Sequence, residues 1–94
     1  MQIISEADLD AYAARKAYSG AKRHLALWVA RTRTSRWRSF TDVRATFRRA
    51  DYADGLVIFD IHGNRFRLVT RIDYGLGTVR IVWFGTHAEY DREV

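Results

Sequence analysis

The sequence predicts an α+β, two-layer domain in which N-terminal helices pack on a small antiparallel sheet. Three observations carry that expectation. Apolar residues recur at helical spacing through the first half of the chain. From Asp54-Gly55 onward they alternate with polar ones, at the period of a strand. "HG" and "YGLG" then break the alternating half where hairpin turns belong. Helices followed by antiparallel strands define an α+β layer architecture.

The elements follow in order. "QII" reads as a short first strand, and "SEADLDAYAARKAYSG" as a helix. Ser5 and Asp8 have the spacing of a capping box, Leu9, Tyr12, Ala13 and Ala17 make one face, and Gly20 ends it. "AKRHLALWVARTRTS" is a second helix with Ala21, Leu25, Trp28 and Val29 facing inward. "TDVRATF" is a short third helix capped by Thr41. Three strands joined by two hairpins complete the domain, which spans residues 1–94 with no linker, repeat or proline.

Composition narrows the function. The net charge is +5, and fourteen of the sixteen cationic residues are arginines. Guanidinium forks onto phosphate oxygens and stacks on bases, so a small Arg-biased basic chain points first to nucleic acid. There is no cysteine, which excludes disulfides and thiolate metal sites and fits a reducing compartment. No signal-peptide pattern and no bilayer-length apolar run is seen, so the expectation is a cytoplasmic protein without a membrane partner.

Strand registers can be argued from the rule that a one-residue slip turns every side chain to the wrong face. A Tyr74–Gly77 loop pairs Ile72 with Val79 and Leu68 with Trp83, and sets Arg71 opposite Arg80. Like charges directly opposite destabilise a sheet, and an anion between them would relieve it. A two-residue His62-Gly63 turn sets Phe59 opposite Phe66, Asp60 opposite Arg65 and Ile58 opposite Arg67. Arg65 then has a carboxylate partner, whereas Arg67 has none in the sheet and is the arginine most available to phosphate. A salt bridge from Arg67 to a helix carboxylate is the bland alternative. Arg31, Arg33, Arg36 and Arg38 form a further basic stretch around Trp37, read either as an RNA grip or as a solvated helix end with Trp37 in the core.

The C-terminal "GTHAEYD" concentrates groups that move protons. With Thr86 as N-cap, a helical turn puts His87, Tyr90 and Asp91 at i, i+3 and i+4 on one side, and Glu89 away from them. The second register brings His87 alongside Asn64, at the end of the sheet that holds Arg65 and Arg67. Imidazole, phenol and carboxylate beside a free guanidinium suit proton transfer around a phosphate. A metal site would need His87 with Glu89 or Asp91, as on an extended strand, with nearby His62 as an optional further ligand. Without cysteine or an i, i+4 His pair, no metal is expected. A purely structural tail, in which Tyr90 packs and Asp91 pairs with an arginine, is the competing reading.

These residues resemble the HigB toxins of type II toxin–antitoxin systems, a branch of the RelE-like superfamily. The family pattern F-x-I-x-G-N-x-[YF]-R-[LI], a Tyr-Gly turn and G-T-H-x-E-Y-D is met at Phe59, Ile61, Gly63, Asn64, Phe66, Arg67, Leu68, Tyr74, Gly85, Thr86, His87, Glu89, Tyr90 and Asp91. Looser agreement extends through "II", two helices and the Trp37, Asp42, Val43 segment. The resemblance implies a metal-independent mRNA interferase that cuts messages on the ribosome by 2′-OH attack on the adjacent phosphate, and a HigA-type helix-turn-helix antitoxin as partner. It implies catalytic parts for Arg67, His87, Tyr90 and Asp91. Arg65, Arg71, Arg80, Arg36 and Arg38 are the expected phosphate or RNA contacts, and no cofactor is called for. The alternative is a non-catalytic module that binds RNA or the ribosome, or a degenerate toxin serving only as antitoxin partner.

Overall fold

The computed structural model describes residues 1–93. Its strands are β1 (Gln2–Ile4), β2 (Asp51–Ala53), β3 (Leu56–Ile61), β4 (Phe66–Asp73) and β5 (Thr78–Thr86). They form one sheet in the order β1-β5-β4-β3-β2. The sheet is mixed rather than wholly antiparallel, because β1 runs parallel to β5. The chain therefore opens on an edge strand, crosses over through α1 (Ala7–Ala13) and α2 (Ala21–Thr34), and only then builds the meander. A short α3 (Phe40–Thr46) leads into β2, which the sequence pattern had not revealed, and α4 (His87–Glu93) follows β5.

Alternation in β3 and β4 sorts side chains as expected. Val57, Phe59, Ile61, Phe66, Leu68 and Thr70 are buried toward the helices, together with Leu25 and Trp28 of α2. Trp28 meets the edge of Phe59 with ring centres 5.3 Å apart, and Tyr18 does the same to Phe66 and Phe84 at 5.8 and 5.5 Å. Trp37 also belongs to this core, its indole N–H donating to Thr46 Oγ1 at 3.0 Å. Trp37 is thus a core plug rather than an exposed stacking platform.

The first helix differs from expectation. Ser5 has φ +67°, a left-handed conformation, and makes no capping bond, so the Ser5–Asp8 capping box does not form. The helix ends at Ala13 and the chain turns through a 3-10 segment, Lys16–Tyr18, that buries Tyr18 in place of Ala17. A phenol ring removes far more apolar surface from water than a methyl group, which favours that exchange. In α3 the N-cap is Ser39, not Thr41.

Both hairpins depart from the argued registers. The first loop is four residues long, with Ile61 opposite Phe66, so Phe59 faces Leu68, Asp60 faces Arg67 and Ile58 faces Val69. The second pairs Ile72 with Val79 and Arg71 with Arg80 as expected, then breaks: Thr70 faces Ile81 and Val69 faces Trp83, leaving Val82 as a bulge. Beyond it Leu68 meets Phe84 rather than Trp83. A bulge re-aims the residues that follow it. Here it sends Phe84 into the core and swings Trp83 to the opposite face, against Tyr90 of α4.

Candidate functional site

The corrected registers assemble the site. Asp60 on β3 and Gly85 on β5 flank Arg67 on β4, and two residues past Gly85 the chain turns into α4. That turn is fixed by a reciprocal capping box. Thr86 Oγ1 accepts the Glu89 amide at 3.1 Å, and Glu89 Oε1 accepts the Thr86 amide at 2.8 Å. Oε1 also accepts the Tyr18 hydroxyl at 2.8 Å, tying α4 to the helical layer. The Thr86 amide, and then the Tyr18 hydroxyl, hold the Glu89 carboxyl below its ordinary range. Burial, then the same contact seen from the other side, pushes the Tyr18 phenol up. Glu89 thus faces away from His87 and Tyr90, as its spacing predicts. Gly85 is required by close approach: a Cβ there would lie 2.6 Å from Cη2 of Trp83 and 2.9 Å from Oε1 of Glu89.

With α4 held, His87 and Tyr90 meet Arg67. Arg67 Nε donates to His87 Nε2 at 3.1 Å, and its guanidinium carbon lies 4.6 Å from the Tyr90 ring centre. Trp83 stands behind Tyr90, ring centres 6.1 Å apart. Asp60 Oδ1 is 3.4 Å from His87 Nε2 and 3.7 Å from Arg67 Nε. The side chains of Arg67, His87 and Asp60 are mostly buried, with 18 to 29 % of their surface exposed. Arg67 therefore has a carboxylate neighbour, contrary to the free guanidinium expected from the hairpin. The pair is loose, and both of its Nη groups lack a hydrogen-bond partner among the described residues.

The part Nε2 plays depends on the ring's tautomer. With the ring proton on Nδ1, Nε2 carries a lone pair that accepts from Arg67. Were Nε2 to gain a proton, it could donate only to Asp60. One nitrogen thus has a donor on one side and an acceptor on the other.

The remaining expected residues distribute as follows. Asp91 is exposed and makes no hydrogen bond to His87 or Tyr90 among the described residues. Arg65 lies in the hairpin loop, not opposite Asp60; its guanidinium is 3.5 Å from His62 Nε2 and its carbonyl accepts the His87 amide at 3.3 Å. Arg71 and Arg80 face each other, exposed, with no salt bridge among the described residues. Arg36 and Arg38 sit at the far end of β4 and β5, around a cleft of about 950 Å³ that also contains Arg33, Tyr74 and Leu76. Arg33 there is paired with Glu6 at 2.6 Å. Two arginines were missed: Arg48 and Arg49, which with Arg31 line a cleft of about 700 Å³ on the other side of Asp60. His24 and His62 stack on each other at 4.1 Å, outside the cluster. Among the described residues no group of three or more His, Asp or Glu is arranged to hold a metal ion, and no helix is long and apolar enough to cross a membrane.

Fold and charge define a small basic α+β protein with helices packed on a five-stranded sheet. The model of the HigB_toxin family, described as the RelE-like toxic component of a toxin–antitoxin system, matches residues 21–93, and the chain belongs to that family. The match starts at α2 and takes in the whole of the site. A toxin of such a system implies an antitoxin partner. A comparison with curated proteins returned no match.

Proposed function

We propose that this toxin is a metal-independent endoribonuclease, acting as one domain in the cytoplasm, that cuts mRNA on the ribosome and so arrests translation and growth. The observation that carries the reading is His87 Nε2 held between Arg67 and Asp60 on a basic sheet face.

Cleavage by 2′-OH attack has three needs: a base for the hydroxyl, charge stabilisation on the phosphate, and a proton for the 5′-oxygen. Arg67 stays protonated, and its two open Nη groups fork onto non-bridging oxygens. Drawing Arg67 toward phosphate also releases its bond to His87, so substrate binding uncovers the lone pair that serves as base. Nε2 then takes the 2′-OH proton and turns it to Asp60. The 2′-oxygen bonds to phosphorus, the bond to the 5′-oxygen breaks, and the products are a 2′,3′-cyclic phosphate and a 5′-OH. Tyr90 packs under the guanidinium and supplies the leaving-group proton. The orienting part that spacing assigned to Asp91 goes instead to Asp60. Arg65, Arg71 and Arg80 hold flanking phosphates, and Arg36 with Arg38 holds ribosomal RNA. Transition metals have no part in this scheme, and chelating them at fixed magnesium is expected to leave the rate unchanged.

A module that merely bound RNA would gain nothing from a carboxylate 3.7 Å from its central arginine, because it repels phosphate. As a proton acceptor behind a general base, the same carboxylate is useful. Neutralisation by a HigA-type helix-turn-helix antitoxin completes the proposal. The test is induction in cells followed by mapping of message 5′ ends: new 5′-OH ends and growth arrest, both lost on co-expression of the antitoxin, are expected. Growth arrest with intact messages refutes the nuclease and leaves an occluding binder.

A further inference from the structure

The sheet face that carries Arg67 has a feature which, Tyr90 apart, the mechanism does not use. An apolar groove of about 240 Å³ runs from Tyr90 and Trp83 over Ile58, Val69 and Val82 to Leu56 and Asp54. Its floor, Ile58 and Val69, is 4 and 6 % exposed beneath Trp83 and the Tyr90 ring of α4, and its wall is open, since Val82 is 46 % exposed. The bulge creates that wall by turning Val82 and Trp83 toward the same side. An arginine stands near each end, with Asp54 on the rim of the second. At one, Arg67 lies against the Tyr90 ring. At the other, Arg71 reaches past Gly55, where a Cβ would meet its Nη1 at 3.5 Å, and faces Arg80 across the strands.

We infer that this groove holds one unstacked base of the single-stranded RNA, next to the scissile phosphate, with the following phosphates on Arg71 and Arg80. The inference rests on the nuclease reading of the Arg67 site and adds a subsite to it. Charge complementarity selects the occupant. Arg67 and Arg71 are four residues apart on β4, roughly 13 Å at ~3.3 Å per residue, so an apolar slot lies between two phosphate-binding guanidiniums. That is the alternation of a sugar–phosphate backbone with a base turned aside. An apolar slot with an aromatic wall takes a base by stacking and by burial of its faces. Asp54, exposed at the far rim, is an acceptor for an exocyclic amine, which favours adenine, cytosine or guanine over uracil.

The experiment uses a fluorescein-labelled pentaribonucleotide, 2′-O-methylated throughout so that cleavage is impossible, with each base removed in turn. Fluorescence anisotropy at low salt reads binding to the wild-type protein. One abasic position is expected to weaken binding about 10- to 100-fold, the range of a base–aromatic contact, and the others far less. Val82→Phe fills the groove from an exposed position without touching the core. It should bring the intact oligonucleotide to the affinity of that abasic one and leave the abasic one unchanged. A flat abasic profile, no binding, or equal weakening of both oligonucleotides by Val82→Phe overturns the inference. So does a variant that loses the antitoxin but keeps the wild-type RNA profile, because the groove then belongs to the protein partner. If the wild type shows the expected profile yet never cuts unmodified RNA on ribosomes, the nuclease reading fails and the groove stands.

Discussion

Replacing Glu89 with Ala should detach α4 from the site while leaving the sheet folded. A seven-residue helix has no stability of its own in water. Glu89 supplies two hydrogen bonds to an ionised acceptor, from the Thr86 amide and the Tyr18 hydroxyl, each 2.8 Å long. Bonds to charged groups are worth about 1.5–3 kcal/mol, and the low end applies to a half-exposed carboxylate. Together they give roughly 3 kcal/mol of local anchoring, or about a 10²-fold change in the docked population. Amide exchange at 87–92 should accelerate by that order, and cleavage should fall at least tenfold because His87 and Tyr90 leave Arg67. The Glu89 carboxyl is held below its ordinary value of 4.5. For a depressed acid the stabilisation is complete above the unfolded value and is lost as pH falls through the lower folded value. Acidification below about pH 4.5 should therefore loosen α4 in the wild type, and much less in Glu89→Gln. Unchanged exchange over 87–92 in Glu89→Ala would refute the anchoring argument.

Three further outcomes are expected. Asp60→Ala removes the acceptor for a proton on His87 Nε2, a charged hydrogen bond of about 1.5–3 kcal/mol, so single-turnover cleavage should slow roughly 10- to 150-fold; a wild-type rate would remove Asp60 from the mechanism. Arg67→Ala and His87→Gln should lose about 10²–10³ and 10²–10⁴ in rate respectively. Both should abolish growth arrest with an unchanged circular dichroism spectrum, and a folded variant that still arrests growth would void that assignment. Arg36→Gln with Arg38→Gln should weaken co-sedimentation with ribosomes and flatten its salt dependence, without altering cleavage of short free RNA; identical sedimentation would assign those arginines to solvation alone.

Which parts of this were legible in the sequence follows from what a hydrophobic pattern can sense. It assigned the faces of β3 and β4 correctly, because face has period two. It could not sense a slide of two residues, which preserves every face. The His62–Arg65 loop is two residues longer than the assumed turn, so Asp60 moved from Arg65 to Arg67 with no change in alternation. That single slide hid the carboxylate of the site. The bulge at Val82 escaped for another reason: Trp83 and Phe84 are both large and aromatic, and either could fill the core opposite Leu68. The tail was easier, because Thr86 to Glu89 is a local motif whose capping bonds depend on neighbours in sequence. β2 is three exposed residues paired at an edge, with no apolar face to announce it. Arg48 and Arg49 were passed over because an arginine's position near a cleft depends on tertiary folding, which no local spacing records.

The two registers matter together because the site is built half from the sheet and half from the chain's last helix. Asp60 and Arg67 are fixed by the β3–β4 ladder, whereas His87 and Tyr90 are fixed by Glu89, by the space Gly85 leaves for Trp83, and by the stack on Arg67 itself. The first half is as stable as the core, and the second only as stable as a few local bonds. Arg67 belongs to both, since its aliphatic stem lies on the sheet and its guanidinium carries Tyr90 and His87. In the proposed mechanism, removing the Arg67 charge therefore does two things: it takes away the phosphate contact and loosens the turn that carries the proposed base. The loss in Arg67→Ala should exceed that in Arg67→Lys by more than the phosphate contact alone explains, because lysine keeps a cation above the Tyr90 ring.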